Sequence, residues 1–111
     1  MDRPARSAQR GATVMKAPKA HTAAECERLE QLPNVGPALA ADLRLLGIAH
    51  PRELAGRDAF ALYLALCRAS GRRQDPCVLD TFLAVTDFMA GAAPRPWWAY
   101  TPQRKRQYRD L

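Results

Sequence analysis

The sequence has little that would mark a membrane, secreted or catalytic protein. In 111 residues there are 6 glycines, 3 cysteines and 7% aromatics. No apolar run approaches the ~18 residues that a spanning helix needs, so no membrane partner is expected. The basic N-terminus is not followed by a continuous apolar segment, which argues against secretion. There is no Cys-x-x-Cys, and an odd cysteine count fits a reducing, cytoplasmic setting. Period-two alternation is absent, so strands are not expected. No Gly-rich phosphate loop, Ser/His/Asp pattern or carboxylate pair in an apolar setting occurs. The chain is therefore expected not to be an enzyme, and no cofactor or small-molecule substrate is implied.

Metal ligation fares no better. Cys26, Cys67 and Cys77 with His21 and His50 could supply four zinc ligands, but their spacing is not that of a zinc site. Cys26 and Cys67 fall on apolar helix faces, where free cysteine behaves as a small hydrophobe. Cys77 falls in a first helical turn after Asp75-Pro76. A helix N-terminus favours thiolate, and Asp75 and Asp80 oppose it. A packed, unreactive thiol is the expectation, and no metal site is assigned.

Charge is present and unevenly placed. The formal net charge is +6. Residues 1–20 hold five basic side chains against Asp2, and residues 95–111 hold five against Asp110. Residues 21–94 hold seven basic and nine acidic side chains. Attraction of a polyanion would therefore come mainly from the two ends.

The chain is read as one all-α domain of four to five helices with basic flexible tails. Residues 1–21 read as a disordered basic tail; the segment faintly resembles a transit peptide, and Met15 is an alternative start. Thr22, with Glu25 three residues on, resembles a capping box opening a helix from Ala23 to about Gln31. Its face of Cys26 and Leu29 is apolar, and Glu25, Glu27, Arg28 and Glu30 face solvent. A tight turn follows over Leu32-Pro33-Asn34-Val35-Gly36-Pro37. Asn34 and Gly36 both accept φ > 0 and bracket a core plug, Val35. Pro37 suits the first position of a second helix that runs to Leu46 and stops at Gly47. His50-Pro51 opens a short helical turn. Asp58 caps a helix to about Ser70, with Phe60, Leu62, Tyr63, Leu66 and Cys67 inward. Asp75-Pro76 opens another to about Met89 or Ala90, with Val78, Phe82, Val85 and Met89 as its stripe and Leu79 and Thr86 flanking. Asp42, Asp58, Asp75 and Asp80 read as surface or cap residues. The helical domain spans 22–92, and 93–111 is an aromatic and basic segment partly docked on it. Thr101-Pro102 opens a last, basic helix. Trp97, Trp98 and Tyr100 either cover the core or stack on bases beside Arg95 and Arg104.

The run Leu32-Pro33-Asn34-Val35-Gly36-Pro37, Ala40, Leu43, Leu46-Gly47-Ile48 resembles the helix-hairpin-helix module, a SAM-domain-like arrangement. Adding Asp75-Pro76-Cys77, Pro96-Trp97-Trp98 and Thr101-Pro102, residues 25–104 are similar to the small bacterial pathogenicity locus family, also labelled mitomycin-resistance-like. The helix-hairpin-helix resemblance implies a hairpin that grips DNA phosphates without reading sequence; with the charge of +6 and no catalytic pattern, the expectation is a non-enzymatic DNA-binding accessory protein. The amides of a tight turn entering a helix form an anion-binding concavity. Asn34, Val35, Gly36 and Ala38 are the matching positions. Some helix-hairpin-helix proteins also hold a monovalent cation on hairpin carbonyls, here near Leu32 and Val35. Such hairpins often place Lys, Arg, Ser or Thr where this chain has Pro37, Ala38 and Leu39. The cations that could serve instead are Arg44, Arg52, Arg104, Lys105 and Arg106. The alternative is a protein–protein interaction module in which the hairpin is only a packing device.

Overall fold

The computed structural model describes residues 18–109 and 111. The predicted tail over 1–17, Met15 included, lies outside the described residues. All regular structure among the described residues is helical, as the sequence implies. The described residues form four α-helices: α1 (Pro37–Leu45), α2 (Ala59–Ser70), α3 (Pro76–Met89) and α4 (Thr101–Gln107). Short 3-10 turns at Ala23–Glu25, Leu29–Gln31, Pro51–Leu54 and Trp97–Tyr100 connect them.

The helix predicted over 23–31 does not form. Two 3-10 turns replace it, separated by extended backbone at Cys26 and Arg28. The predicted Thr22 cap makes no side-chain hydrogen bond. Glu25 instead accepts from the backbone of His21, and the Gln31 side chain accepts from the amides of Glu27 and Arg28. These side chains satisfy donors that a continuous helix would have paired along its own backbone. Cys26 and Leu29 are still buried, at 2% and 0% exposure.

The remaining starts and stops follow local chemistry. Asp58 accepts from the amides of Phe60 and Ala61, and Asp75 from that of Cys77. Such caps contribute about 0.5–2 kcal/mol each. Gly47 and Gly71 are left-handed, at φ 86° and 72°. Gly36 is not: its φ is −95°, so only Asn34, at φ 70°, supplies the left-handed residue of the turn.

The core is built around α3, which packs against α2, α4, Pro51–Leu54 and Trp97–Tyr100. Leu79, Phe82, Val85 and Phe88 are at most 1% exposed. Each contributes about 1.5–3 kcal/mol relative to exposure. The buried threonines of α3 return their hydroxyls to the helix, Thr81 to the Cys77 carbonyl and Thr86 to that of Phe82. Asp80 is a correction: predicted at the surface, it is completely buried. Its Oδ1 lies 2.9 Å from Arg104 Nε, and its Oδ2 accepts from the Thr101 hydroxyl at 2.7 Å. Ion pairing and these hydrogen bonds offset its desolvation.

This pair fastens α4 to α3. Tyr100 is buried, and Tyr108 stacks on Phe60 of α2 at 4.5 Å. At the other end, Ala20 is buried and its amide donates to the Gln31 carbonyl. Residues 18–21, assigned from sequence to the tail, thus include an anchor on the body.

Candidate nucleic-acid interface

The site begins with how the Leu32–Pro37 turn closes. Leu32 and Val35 are buried plugs, at 0% and 1% exposure. The Val35 amide donates to the Leu32 carbonyl at 3.2 Å. Val35 is therefore not an available phosphate donor, contrary to the sequence expectation. Gly36 then enters α1 in extended geometry and its carbonyl accepts from Ala40. Pro37 occupies the first turn, and no side chain caps it. Among the described residues, the amides of Gly36, Ala38 and Leu39 find no acceptor. Their N–H groups lie at the positive end of α1, where an anion is favoured.

Gly36 has a further property. A Cβ built there would meet nothing within 4 Å, and its φ suits any residue. Neither backbone conformation nor crowding within the protein requires glycine at this position. Its effect is to leave the peptide edge uncovered, as close approach of a ligand to backbone would need.

The carbonyl side of the turn is already occupied. The Lys19 ammonium donates to the carbonyls of Val35 and Glu30. The Leu32 carbonyl takes the Val35 amide. The two carbonyls expected to face a monovalent cation are thus engaged by the chain itself, one of them by a tethered cation. Because carbonyl and N–H point oppositely across a trans peptide, Lys19 polarises the Val35–Gly36 bond toward a stronger Gly36 donor.

The structure distributes the other predicted side chains. The Asn34 side-chain amide donates to the Arg95 carbonyl at 2.7 Å, so it ties the turn to the C-terminal segment. Arg44 makes a two-point contact with Glu30, at 2.8 and 3.0 Å. The guanidinium holds the Glu30 carboxyl below its ordinary range, first through that hydrogen bond. Arg52 is exposed on the Pro51–Leu54 turn, and Lys105 and Arg106 are exposed on α4. Arg104 is a correction. Its side chain is 11% exposed and committed to Asp80, so it is a core residue and not a surface cation.

The contacts of Lys19 and Arg95 with the turn are what sequence reasoning missed. They span 16 and 61 positions, and no local pattern marks such contacts.

No group of three metal-binding side chains occurs among the described residues. His50 Nδ1 accepts from the Arg52 amide as a helix cap. Burial, followed by Asp75, pushes the Cys77 thiol up to about 11. No described helix is long and apolar enough to cross a membrane.

Comparison with known proteins gives this sequence a relative. The chain is 41% identical over 85 residues to the mitomycin resistance protein McrB of Streptomyces lavendulae, covering 77% of this chain and 81% of that one. No solved structure matches the chain. The profile of the family described as pathogenicity locus matches residues 22–106, from the first 3-10 turn into α4. The protein belongs to the pathogenicity locus family.

Proposed function

We propose that the protein is a non-enzymatic accessory factor that binds nucleic-acid phosphate without reading sequence. The observation that carries this is the uncapped start of α1, with Gly36, Ala38 and Leu39 amides open beside a glycine that the fold does not require. Backbone amides recognise phosphate oxygens and not base edges, so they position a strand without selecting one. The basic residues outside the core add long-range attraction.

The test is fluorescence anisotropy with labelled duplex and single-stranded oligonucleotides across a salt series. Affinity is expected to fall with salt, with a log–log slope near −0.9 for each duplex phosphate contacted. Gly36→Val is accommodated by the backbone and the open space, and it lays methyl groups over the amides. It is expected to weaken binding while the circular dichroism and melting curve stay unchanged. Removing residues 1–17 is expected to lower affinity while preserving its dependence on Gly36. Absence of binding to either oligonucleotide at low salt rejects the reading.

A second reading is supported by the commitment of Arg44 to Glu30 and by the 60% exposure of Leu45. In that reading the turn is a packing device and the exposed α1 surface meets another protein.

A further inference from the structure

The segment Pro94-Arg95-Pro96-Trp97-Trp98 is held against the turn and points a large aromatic outward. Tyr100, two residues beyond Trp98, is buried, while Trp98 itself is 62% exposed. The docking of this segment thus leaves out one of its most apolar side chains. Tryptophan is on average a highly buried residue, so this one keeps more of its ring in solvent than most.

Three constraints fix its position. Pro94 and Pro96 limit backbone freedom on both sides of Arg95. The Arg95 carbonyl is hydrogen-bonded to the Asn34 side chain. Trp97, half-buried, meets Trp98 edge-to-face at 5.6 Å and 85°. A contact of that kind uses at most one face of the Trp98 ring.

We propose that Trp98 stacks on an unpaired base of a single-stranded nucleic acid whose phosphate is held at the start of α1, so that the site prefers single strands to duplex. This rests on the phosphate-binding reading above and names its substrate form. Arg95 is exposed three residues before Trp98, and Lys105 and Arg106 are exposed on the helix that follows. Exposed cations thus flank the aromatic on both sides in the chain, as they would flank a platform for a polyanion's bases. In a duplex both faces of a base are covered by its neighbours, and only an unstacked base can offer one. Trp98 is at most about 11 Å of chain from Arg95, and Gly36 about 7 Å from Asn34. The platform and the amides thus lie within a few nucleotides of each other.

The experiment uses the full chain with oligo(dT) of about 20 nucleotides and a duplex of equal length. Oligo(dT) is expected to bind more tightly than the duplex and to quench tryptophan fluorescence. Trp98→Ala is expected to weaken oligo(dT) binding about 5- to 150-fold and leave duplex binding within about twofold. Trp98→Phe is expected to keep most of the affinity and lose the Trp98 share of the quench, with Trp97 still emitting. If duplex binds and Trp98→Ala leaves oligo(dT) affinity unchanged, the stacking proposal is wrong and the phosphate reading stands. If neither nucleic acid binds, both are wrong.

Discussion

Arg104 and Asp80 form an ion pair inside the helical body, with Nε 2.9 Å from Oδ1 and the carboxylate wholly shielded from solvent. A basic run at a chain end invites an electrostatic reading, yet its first member serves packing. Removing the cation would leave a buried carboxylate with only the Thr101 hydroxyl. Arg104→Ala is expected to cost about 3–5 kcal/mol in urea unfolding. Lys105→Ala, at the next position and exposed, is expected to leave the midpoint unchanged.

Lys19 offers a second stability test. Lys19→Met keeps most of the apolar stem and removes the donors to the Val35 and Glu30 carbonyls. Charge-assisted hydrogen bonds contribute about 1.5–3 kcal/mol, and partial solvent exposure places this loss toward the lower end. Amide exchange is expected to accelerate first over residues 32–40. Unchanged protection there would show that the contact does not hold the turn.

The Glu30–Arg44 pair gives a pH dependence. The hydrogen bond from Arg44 holds the folded Glu30 carboxyl below its ordinary value. Its contribution is therefore complete above about pH 4.5 and is lost as pH falls through the folded value. With Arg44 half exposed, the pair is worth less than about 1 kcal/mol. Glu30→Gln is expected to be slightly less stable than the parent at about pH 6 and to converge on it as pH falls through the folded Glu30 value, measured by paired urea melts.

Cys77 is expected to be a poor nucleophile, because its thiol is raised to about 11. At about pH 8 little of it is thiolate, so iodoacetamide should label Cys77 far more slowly in the native protein than in denaturant. Peptide mapping by mass spectrometry distinguishes it from Cys67. Native labelling at the rate of a free thiol would contradict the burial seen here.

Helix caps and stops were the legible part of this fold. Asp58, Asp75, Gly47 and Gly71 act within a few residues of themselves, so the chemistry that places them is visible locally. The segment 23–31 was not legible. Its charges and apolar spacing suit a helix, but Gln31 and Glu25 side chains bond backbone amides and divide it into two turns. The burial of α3 was underestimated from one stripe. Between Pro76 and Met89 only Asp80 and Asp87 are charged, a composition suited to burial on nearly all sides. At the candidate site the turn itself was readable, and Asn34 does adopt the left-handed conformation. The roles of Lys19, Arg95 and Arg104 were not readable, because each depends on a partner 11 or more positions away.

The Asp80–Arg104 clasp also sets an order of events during synthesis. Its partners are 24 positions apart. At about 5–20 residues per second, the ribosome adds Arg104 some 1–5 s after Asp80. Throughout that interval the nascent chain carries its most apolar helix with an unpaired acid at its centre and no C-terminal cover. The segment that closes the body is made after α3, so a chain stalled or ended before Arg104 leaves α3 open to chaperones and to aggregation.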